Sequence, residues 1–365
     1  MAGWEIRVRG LVQGVGFRPY VWRLAQGAGL IGNVCNDGDG VLIRLADGAD
    51  NFAELLQKNP PPLARIDEID IRPIAAKLPN QGFHIIASGG GRTKTGITPD
   101  AATCPTCLAE IFDPDNRRYG YPFTNCTDCG PRLTITHAIP YDRANTSMAQ
   151  FIMCPDCQQE YDNPADRRYH AQPNACPTCG PKLTLKDKNG PISDDPLEAA
   201  ANAIKAGQIV AIKGLGGFQL AVDALNEPAV QRLRERKHRP GKPLALMVCD
   251  IEMAQKFATI SPPEREILKA PAAPIVLLEK AGNSVAPSVA PGQNRLGIML
   301  PNTPLHHLLM RKIGHPIVLT SGNISHEPQI TENAEALDKL ARIADFWLLH
   351  DRGIANRMDD SVVHI

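Results

Sequence analysis

The chain has 365 residues, too many for one ordinary core; a prior of about 150 residues per domain points to two or three domains. Its 39 Lys and Arg balance 39 Asp and Glu, which excludes a global attraction to nucleic acid or membrane and leaves such binding to local patches. No apolar run approaches the roughly 20 residues that cross a bilayer, and the charged, alternating residues 1–9 do not form a signal peptide, so a cytoplasmic protein without membrane contact is expected.

The first block, residues 1–90, opens with a strand-like run at residues 6–9 and a glycine-rich loop. A helical stretch follows from Arg18 to about Gly29. Strand-like runs at 31–35 and 41–45 flank Asp37-Gly38-Asp39-Gly40, whose Asp-Gly steps suit a hairpin. A second helix (49–58) and further strands (66–74, 83–86) complete a ferredoxin-like βαββαβ pattern. The loop Gly10-Leu-Val-Gln-Gly-Val-Gly-Phe-Arg18 sits between strand and helix. Gly14 and Gly16 let successive N–H groups converge, the helix N-terminus adds partial positive charge, and Arg18 adds a bidentate fork; together they suit a phosphoryl group. The loop lacks the third glycine of a dinucleotide fingerprint and the Gly-Lys-Ser/Thr of a Walker A loop. On its own it is equally consistent with a tight glycine turn.

With Asn36-x-x-Asp39-Gly40-Val41, the motif G-x-V-Q-G-V-G-F-R makes residues 4–87 resemble the acylphosphatase family. The resemblance implies that Arg18 and the amides of Gln13, Gly14, Val15, Gly16 and Phe17 hold an acyl phosphate while Asn36 orients the attacking water. An acyl phosphate is an activated anhydride, so positioning and charge stabilisation can suffice to hydrolyse it.

Residues 88–95, Ser-Gly-Gly-Gly-Arg-Thr-Lys-Thr, read as a flexible linker. The next block, 99–186, carries eight of the ten cysteines in four CxxC pairs. Cys104, Cys107, Cys126 and Cys129 recur as Cys154, Cys157, Cys176 and Cys179, 50 residues on, and Arg117-Arg118-Tyr119 recurs as Arg167-Arg168-Tyr169. Each half reads CxxC, 18 residues, CxxC, a spacing typical of zinc sites. Redox dithiols or iron–sulfur ligation are the alternatives, but redox CxxC motifs open a helix in a thioredoxin-like βαβ unit, which is not expected here. Four thiolates leave no open position, so the expectation is two structural zinc ions in tandem four-cysteine modules. Cys35 and Cys249 are expected to be buried in apolar strands.

After a polar linker at 186–196, residues 197–365 alternate helical segments (197–206, 228–237, 334–343) with short apolar strands (209–212, 244–248, 275–278, 317–319), an α/β pattern. Six Lys and Arg crowd into residues 232–242. That run reads either as a solvated helix face or as a nucleic-acid patch. Lys213-Gly-Leu-Gly-Gly-Phe218, Lys237-x-Arg239 and Ser321-x-Asn323 resemble elements of YrdC-like domains. The resemblance implies a nucleotide site that includes Lys213 in its opening strand-turn, in which Lys237, Arg239 and Lys242 hold the triphosphate and Ser321 and Asn323 add polar or metal-water contacts. Lys213 stands where the stand-alone enzymes carry proline-threonine, which argues against ordinary threonylcarbamoylation.

The order of these three blocks resembles the N-terminal half of the HypF-type carbamoyltransferases of NiFe-hydrogenase maturation. That resemblance implies hydrolysis of carbamoyl phosphate to carbamate, then reaction with ATP, with Mg2+, to carbamoyl-adenylate. A further domain, expected to lie beyond a cut C-terminus, would pass the carbamoyl group to the C-terminal cysteine of a HypE-type partner. Carbamate is short-lived, so a shared passage walled by the zinc modules is expected, with Arg167, Arg168 and His170 either lining it or forming a basic surface cluster behind the second zinc site. The competing readings are a threonylcarbamoyl-adenylate synthase acting in tRNA modification, and a zinc-dependent nucleic-acid-binding module. Neutral net charge and few aromatics in the fingers weigh against the second, and nucleic acid is not expected as a partner.

Overall fold

The computed structural model describes residues 3–75, 78–89, 96–324 and 327–365; most of the expected glycine linker, residues 90–95, lies outside them. The chain forms two compact units, one of Met1–Ala101 with Asn125–Gly180 and one of Ala102–Thr124 with Pro181–Ile365. The cysteine-rich block therefore contributes to both. No helix is long and apolar enough to cross a membrane among the described residues.

In the first unit, β1 (Gly3–Leu11), α1 (Phe17–Gly27), β2 (Gly32–Asp37), β3 (Gly40–Leu45), α2 (Ala49–Lys58), β4 (Arg65–Ile74) and β5 (Phe83–Ile85) follow one another. The sheet order is β4-β1-β3-β2-β5, the expected βαββαβ arrangement with one more edge strand, β5, parallel to β2. Period-two alternation explains β1: Ile6 and Val8 enter the core with Val21, Val34, Ile43, Phe52 and Leu56, while Arg7 and Arg9 turn outward. Arg7 reaches Asp37 at 2.6 Å and Arg9 reaches Asp39 at 2.8 Å. These pairs tie β1 to the expected Asp37–Gly40 hairpin, in which Asp37 pairs with Gly40. Residues 125–180 are knit by backbone turns and by side chain–main chain hydrogen bonds such as those of Arg132, Arg143 and Arg168, and among the described residues their one α-helix is α4 (Pro155–Asp162). Trp22 of α1 meets Tyr169 edge-on at 5.9 Å between ring centroids.

The second unit begins with α3 (Pro105–Phe112), the counterpart of α4 at the same 50-residue offset. Its strands are β6 (Leu183–Asp187), β7 (Gly190–Pro191), β8 (Val210–Lys213), β9 (Phe218–Asp223), β10 (Leu246–Met247), β11 (Ile275–Glu279), β12 (Arg295–Met299), β13 (Ile317–Ser321), β14 (Phe346–His350) and β15 (Val362–Val363). They form one ten-stranded mixed sheet, β15-β11-β12-β10-β13-β9-β8-β14-β6-β7. The helices are α5 (Pro196–Lys205), α6 (Glu227–Lys237), α7 (Ile251–Gln255), α8 (Pro262–Leu268), α9 (Pro304–Ile313) and α10 (Asn333–Lys339). Two cores explain why the strands read as continuous apolar runs. Ala211, Leu220, Val222 and Val318 face one core, and Val210, Ile212, Ala221 and Ile317 face the other. Helix α3 joins the second core through Leu108, Ile111 and Phe112, with Arg311 stacked 4.4 Å over the Phe112 ring.

Three histidines of this unit lie largely out of water. Burial lowers the pKa of His306 to about 3 and of His307 to about 4, and holds His350 well below its ordinary value. Between those values and the usual ~6.5 the unfolded chain binds protons that the folded chain refuses, so stability rises with pH across that window and is lost as pH falls through it. Each histidine contributes a slope of up to about 1.4 kcal/mol per pH unit. The expected outcome is a melting temperature that falls steadily between pH 6.5 and 5, and that falls less in His307→Gln.

Candidate functional sites

Three places gather the residues that the sequence singles out. The first lies where β1 gives way to α1. Gly14 (φ 78°) and Gly16 (φ 70°) take the left-handed conformation that glycine adopts without steric cost, and no side chain caps the helix that Gly16 opens. The leading amides of α1 thus remain available to an anion. Gln13 is buried and braces the loop: its Nε2 donates to the carbonyls of Asp37 and Gly40 at 2.7 and 2.9 Å, and its Oε1 accepts from the Tyr141 amide at 3.1 Å. Its side chain is a strut, so Gln13 can offer only main-chain contacts to a phosphoryl group.

Gly14, Gly16, Phe17, Arg18 and Asn36 line one small pocket, closed from the segment 127–173 by Thr127, Arg132, Tyr141, His170 and Gln172 among others. The pocket is small and only partly open to solvent. Arg18 is 8 % exposed, pairs with Asp142 at 3.0 Å and lies 3.4 Å from the Ser88 hydroxyl. Asn36 is 2 % exposed and its Oδ1 has no hydrogen-bond partner. A buried amide oxygen left unpaired costs free energy, and a pocket that receives a water or substrate donor is the setting that relieves it.

Arg132 is a residue that sequence reading misses. It is 1 % exposed, and its guanidinium donates to the carbonyls of Gly14, Cys126, Thr127, Cys129 and Pro131. It therefore fastens the loop to a CxxC turn. The signal available was positional: Gly130-Pro131-Arg132 repeats as Gly180-Pro181-Lys182, and only the first copy has the fork. Of the three residues expected along a passage or in a surface cluster, Arg168 is 3 % exposed and donates through Nε to the Asn125 carbonyl at 3.0 Å. Arg167 accepts a hydrogen bond from Thr127 through its carbonyl. His170 faces the Arg18 pocket, where burial and the Arg18 charge lower its pKa to about 4.

The second place comprises the two cysteine quartets. In each, the four sulfurs lie within 4.8 Å of one another. Tetrahedral zinc with Zn–S of about 2.3 Å sets sulfurs about 3.8 Å apart. Cys154–Cys176, Cys176–Cys179 and Cys157–Cys179 stand at 3.7, 3.8 and 3.6 Å, and Cys126–Cys129 at 3.9 Å. The donor sets thus fit zinc. Burial opposes a thiolate at Cys176, but the amides of Cys179 and Thr178 and the Cys154 thiol outweigh it and lower its pKa. One expectation needs correcting. Cys104 and Cys154 do open helices, as N-caps of α3 and α4, because Pro105 and Pro155 suit the first helical turn. Neither helix belongs to a βαβ unit, so the exclusion of a thioredoxin-like dithiol stands on topology alone. Cys35 is buried in β2 as expected, but Cys249 is half-buried in a turn beside Asp250.

The third place lies in the second unit. Lys237, at the end of α6, is 2 % exposed and donates to the Ser321 carbonyl, the Asn323 carbonyl and Asn323 Oδ1 at 2.6, 2.8 and 2.7 Å. Burial and the charge of Arg239 lower its pKa to about 7, and the three oxygens favour the ammonium. An ammonium has three hydrogens, so here Lys237 fixes the Ser321–Asn323 turn and can reach a phosphate by charge rather than by direct contact. Ser321 donates to Asn323 Oδ1 at 2.8 Å.

Arg239, Thr320, Ser321, Gln329, Asp359 and Asp360 line an open pocket of about 330 Å³. Arg239 Nε and Gln329 Oε1 are buried there without partners. Asp360 accepts from Gln219 at 3.1 Å. Lys213 does not line that pocket: it is 3 % exposed, donates to the His350 carbonyl at 3.2 Å, and burial lowers its pKa to about 8. Lys242 is exposed. Gly216 shows why the opening turn is glycine-rich, since a Cβ there would stand 2.2 Å from the Met358 carbonyl. The basic run is mostly used internally. Arg232 donates to the Gly207 carbonyl, Arg234 to carbonyls that include Arg239 and Lys242, and Arg236 to Ile343 and Asp345. That leaves little of it to form a nucleic-acid face.

Comparison with known proteins adds to this geometry. Residues 4–85 match the acylphosphatase family model, 103–136 and 153–186 the HypF finger, and 202–365 the Sua5/YciO/YrdC model described as telomere recombination. Carbamoyltransferase HypF of Rhodobacter capsulatus is 53 % identical over 365 residues, covering 100 % of this chain and 49 % of the relative. The Synechocystis HypF is 49 % identical over 99 % of this chain and 48 % of its own length. A crystal structure of full-length HypF in the phosphate- and nucleotide-bound form is 47 % identical, with a TM-score of 0.95 over 100 % of this chain and 48 % of that one. The chain spans about half the length of these relatives, and over that half it is similar to HypF carbamoyltransferases from end to end.

Proposed function

We propose that the first unit hydrolyses carbamoyl phosphate to carbamate and phosphate, and that the second joins carbamate to ATP, giving carbamoyl-adenylate and pyrophosphate. The observation that carries this reading is the pairing of buried Arg18 with the unpartnered oxygen of Asn36 in one small pocket on an uncapped helix N-terminus. In the first step Arg18 and the loop amides neutralise the phosphoryl oxygens while Asn36 Oδ1 accepts from the attacking water. The water oxygen bonds to phosphorus, the bond from phosphorus to the bridging oxygen breaks, and carbamate leaves with that oxygen. In the second step a carbamate oxygen attacks the α-phosphorus and pyrophosphate departs. Arg239 and the turn fixed by Lys237 hold the phosphates, and the carboxylates of Asp359 and Asp360, which line the same pocket, would hold Mg2+ with the nucleotide. The carbamoyl group is then destined for the C-terminal cysteine of a HypE-type protein through a further domain of the whole enzyme.

The zinc quartets hold structural ions: Cys104, Cys107, Cys126 and Cys129 for one, Cys154, Cys157, Cys176 and Cys179 for the other. Bound zinc supplies four fixed bonds to each finger and no catalytic position. Acylphosphatase-type geometry disfavours a threonylcarbamoyl-adenylate synthase, which needs no acyl phosphate.

Phosphate release and pyrophosphate exchange test the two halves separately. With carbamoyl phosphate, the wild-type chain is expected to release phosphate and, with ATP added, to support exchange; exchange driven equally well by threonine and bicarbonate would favour the rival enzyme. Lys237→Ala is expected to leave phosphate release unchanged and to cut exchange by about 100-fold, the effect of losing a positioned charge at a reacting phosphate. It also strands three acceptors, so a stability loss of about 1–3 kcal/mol should accompany it.

A further inference from the structure

The 50-residue repeat aligns His170 with Gly120. Both are left-handed, at φ 55° and 65°, and their amides make the same bond, to the Tyr161 and Ile111 carbonyls at 3.0 and 2.9 Å. In the first module the position holds the residue that such a backbone favours. In the second it holds a histidine, in a conformation uncommon for any residue with a Cβ. Strain retained at one copy of a repeat, where the other copy avoids it, points to a task for the side chain.

The place of that side chain defines the task. His170 lines the Arg18 pocket. Its ring meets Tyr169 edge-on and Tyr161 at a tilt, with centroids 4.6 and 5.0 Å away, and its carbonyl accepts from Gln172 at 2.8 Å. Among the described residues its ring nitrogens have no hydrogen-bond partner. Beside Arg18 and out of water the ring stays neutral at physiological pH, so one nitrogen is an acceptor. The pocket has few others. Among the lining side chains, Arg18 and Arg132 only donate, Gln172 Oε1 already accepts from the Arg143 amide and the Tyr161 hydroxyl, the Thr127 hydroxyl is engaged with Asp128 and the Arg167 carbonyl, and Asn36 is assigned to water.

We infer that His170 is the specificity residue of the hydrolytic site, accepting a hydrogen bond from the amino group of carbamoyl phosphate and so selecting it over acyl phosphates that lack an N–H. This rests on the hydrolase reading above. An acetyl group offers no donor, so it would leave the imidazole acceptor unpaired, whereas carbamoyl has two N–H bonds.

The test measures kcat/KM for phosphate release from carbamoyl phosphate and acetyl phosphate in the wild-type chain, His170→Gly and His170→Asn. Glycine suits the backbone, as Gly120 shows, so His170→Gly should fold with an unchanged or higher melting temperature. It should lose about tenfold on carbamoyl phosphate, equivalent to ~1.4 kcal/mol, and change less than twofold on acetyl phosphate. Asparagine tolerates left-handed backbone and restores an acceptor, so it should recover part of the preference. Equal losses on both substrates, or no loss on carbamoyl phosphate, would overturn the assignment while leaving the hydrolase reading intact. A wild-type chain that hydrolyses neither substrate would overturn both.

Discussion

Arg18→Ala is expected to reduce phosphate release from carbamoyl phosphate by about 1,000-fold or more, since it deletes both the full charge and the two-pronged donor proposed to face the transferred group. In the structure that guanidinium is already oriented by Asp142 at 3.0 Å and by burial. Substrate therefore meets a fixed donor, with little reorganisation left for the transition state. Arg18→Lys should retain part of the charge effect and lose the fork, giving an intermediate rate. The decisive control lies in the second unit. With carbamoyl phosphate as the only source, Arg18→Ala should also lose pyrophosphate exchange, because no carbamate forms. Freshly dissolved ammonium carbamate should restore that exchange to the wild-type level. Exchange that stays absent with carbamate supplied would mean the substitution disturbs more than the first site, and normal phosphate release would show that the hydrolytic site is misassigned.

What sequence could and could not disclose follows from the range of the interactions. The β1–α1 loop, the Asp37–Gly40 hairpin and the CxxC pairs were legible because each is a local pattern in which spacing alone dictates geometry. The ten-stranded sheet was legible only as an α/β class, since its order rests on pairings such as β13 with β9 and β14 with β6, far apart in the chain. The same limit hid Arg132 and Asp142, whose partners Gly14 and Arg18 lie more than a hundred residues away. The basic run at residues 232–242 misled in the opposite direction. Composition suggested a charged surface, yet Arg234 and Lys237 are buried donors to main-chain oxygens, because guanidinium and ammonium groups satisfy carbonyls that strand ends and turns leave open.

Cys157→Ser provides the second large effect, and it links the fingers to the chemistry. The second quartet lies within the first unit, and residues 158–175 run between its two CxxC pairs. That stretch carries His170 and Gln172 to the Arg18 pocket. It has little core of its own. Gln172 is held by Arg143, and Asn174 Nδ2 donates to the Cys157 carbonyl at 2.9 Å, so its order depends on the ligand turn. A structural zinc contributes about 10–16 kcal/mol of apparent binding energy to such a segment, far more than these few hydrogen bonds, at about 1 kcal/mol each. Loss of one thiolate should therefore lower bound zinc from about two to about one per chain, open residues 158–175 to limited proteolysis, and reduce carbamoyl phosphate hydrolysis by about 100-fold as the pocket loses its cover. Exchange with added carbamate should persist, since the second unit keeps its own cores. If Cys157→Ser keeps both the zinc and the hydrolytic rate, the quartet does not hold the pocket closed. If it loses the zinc but hydrolyses at the wild-type rate, the finger folds on hydrogen bonds alone.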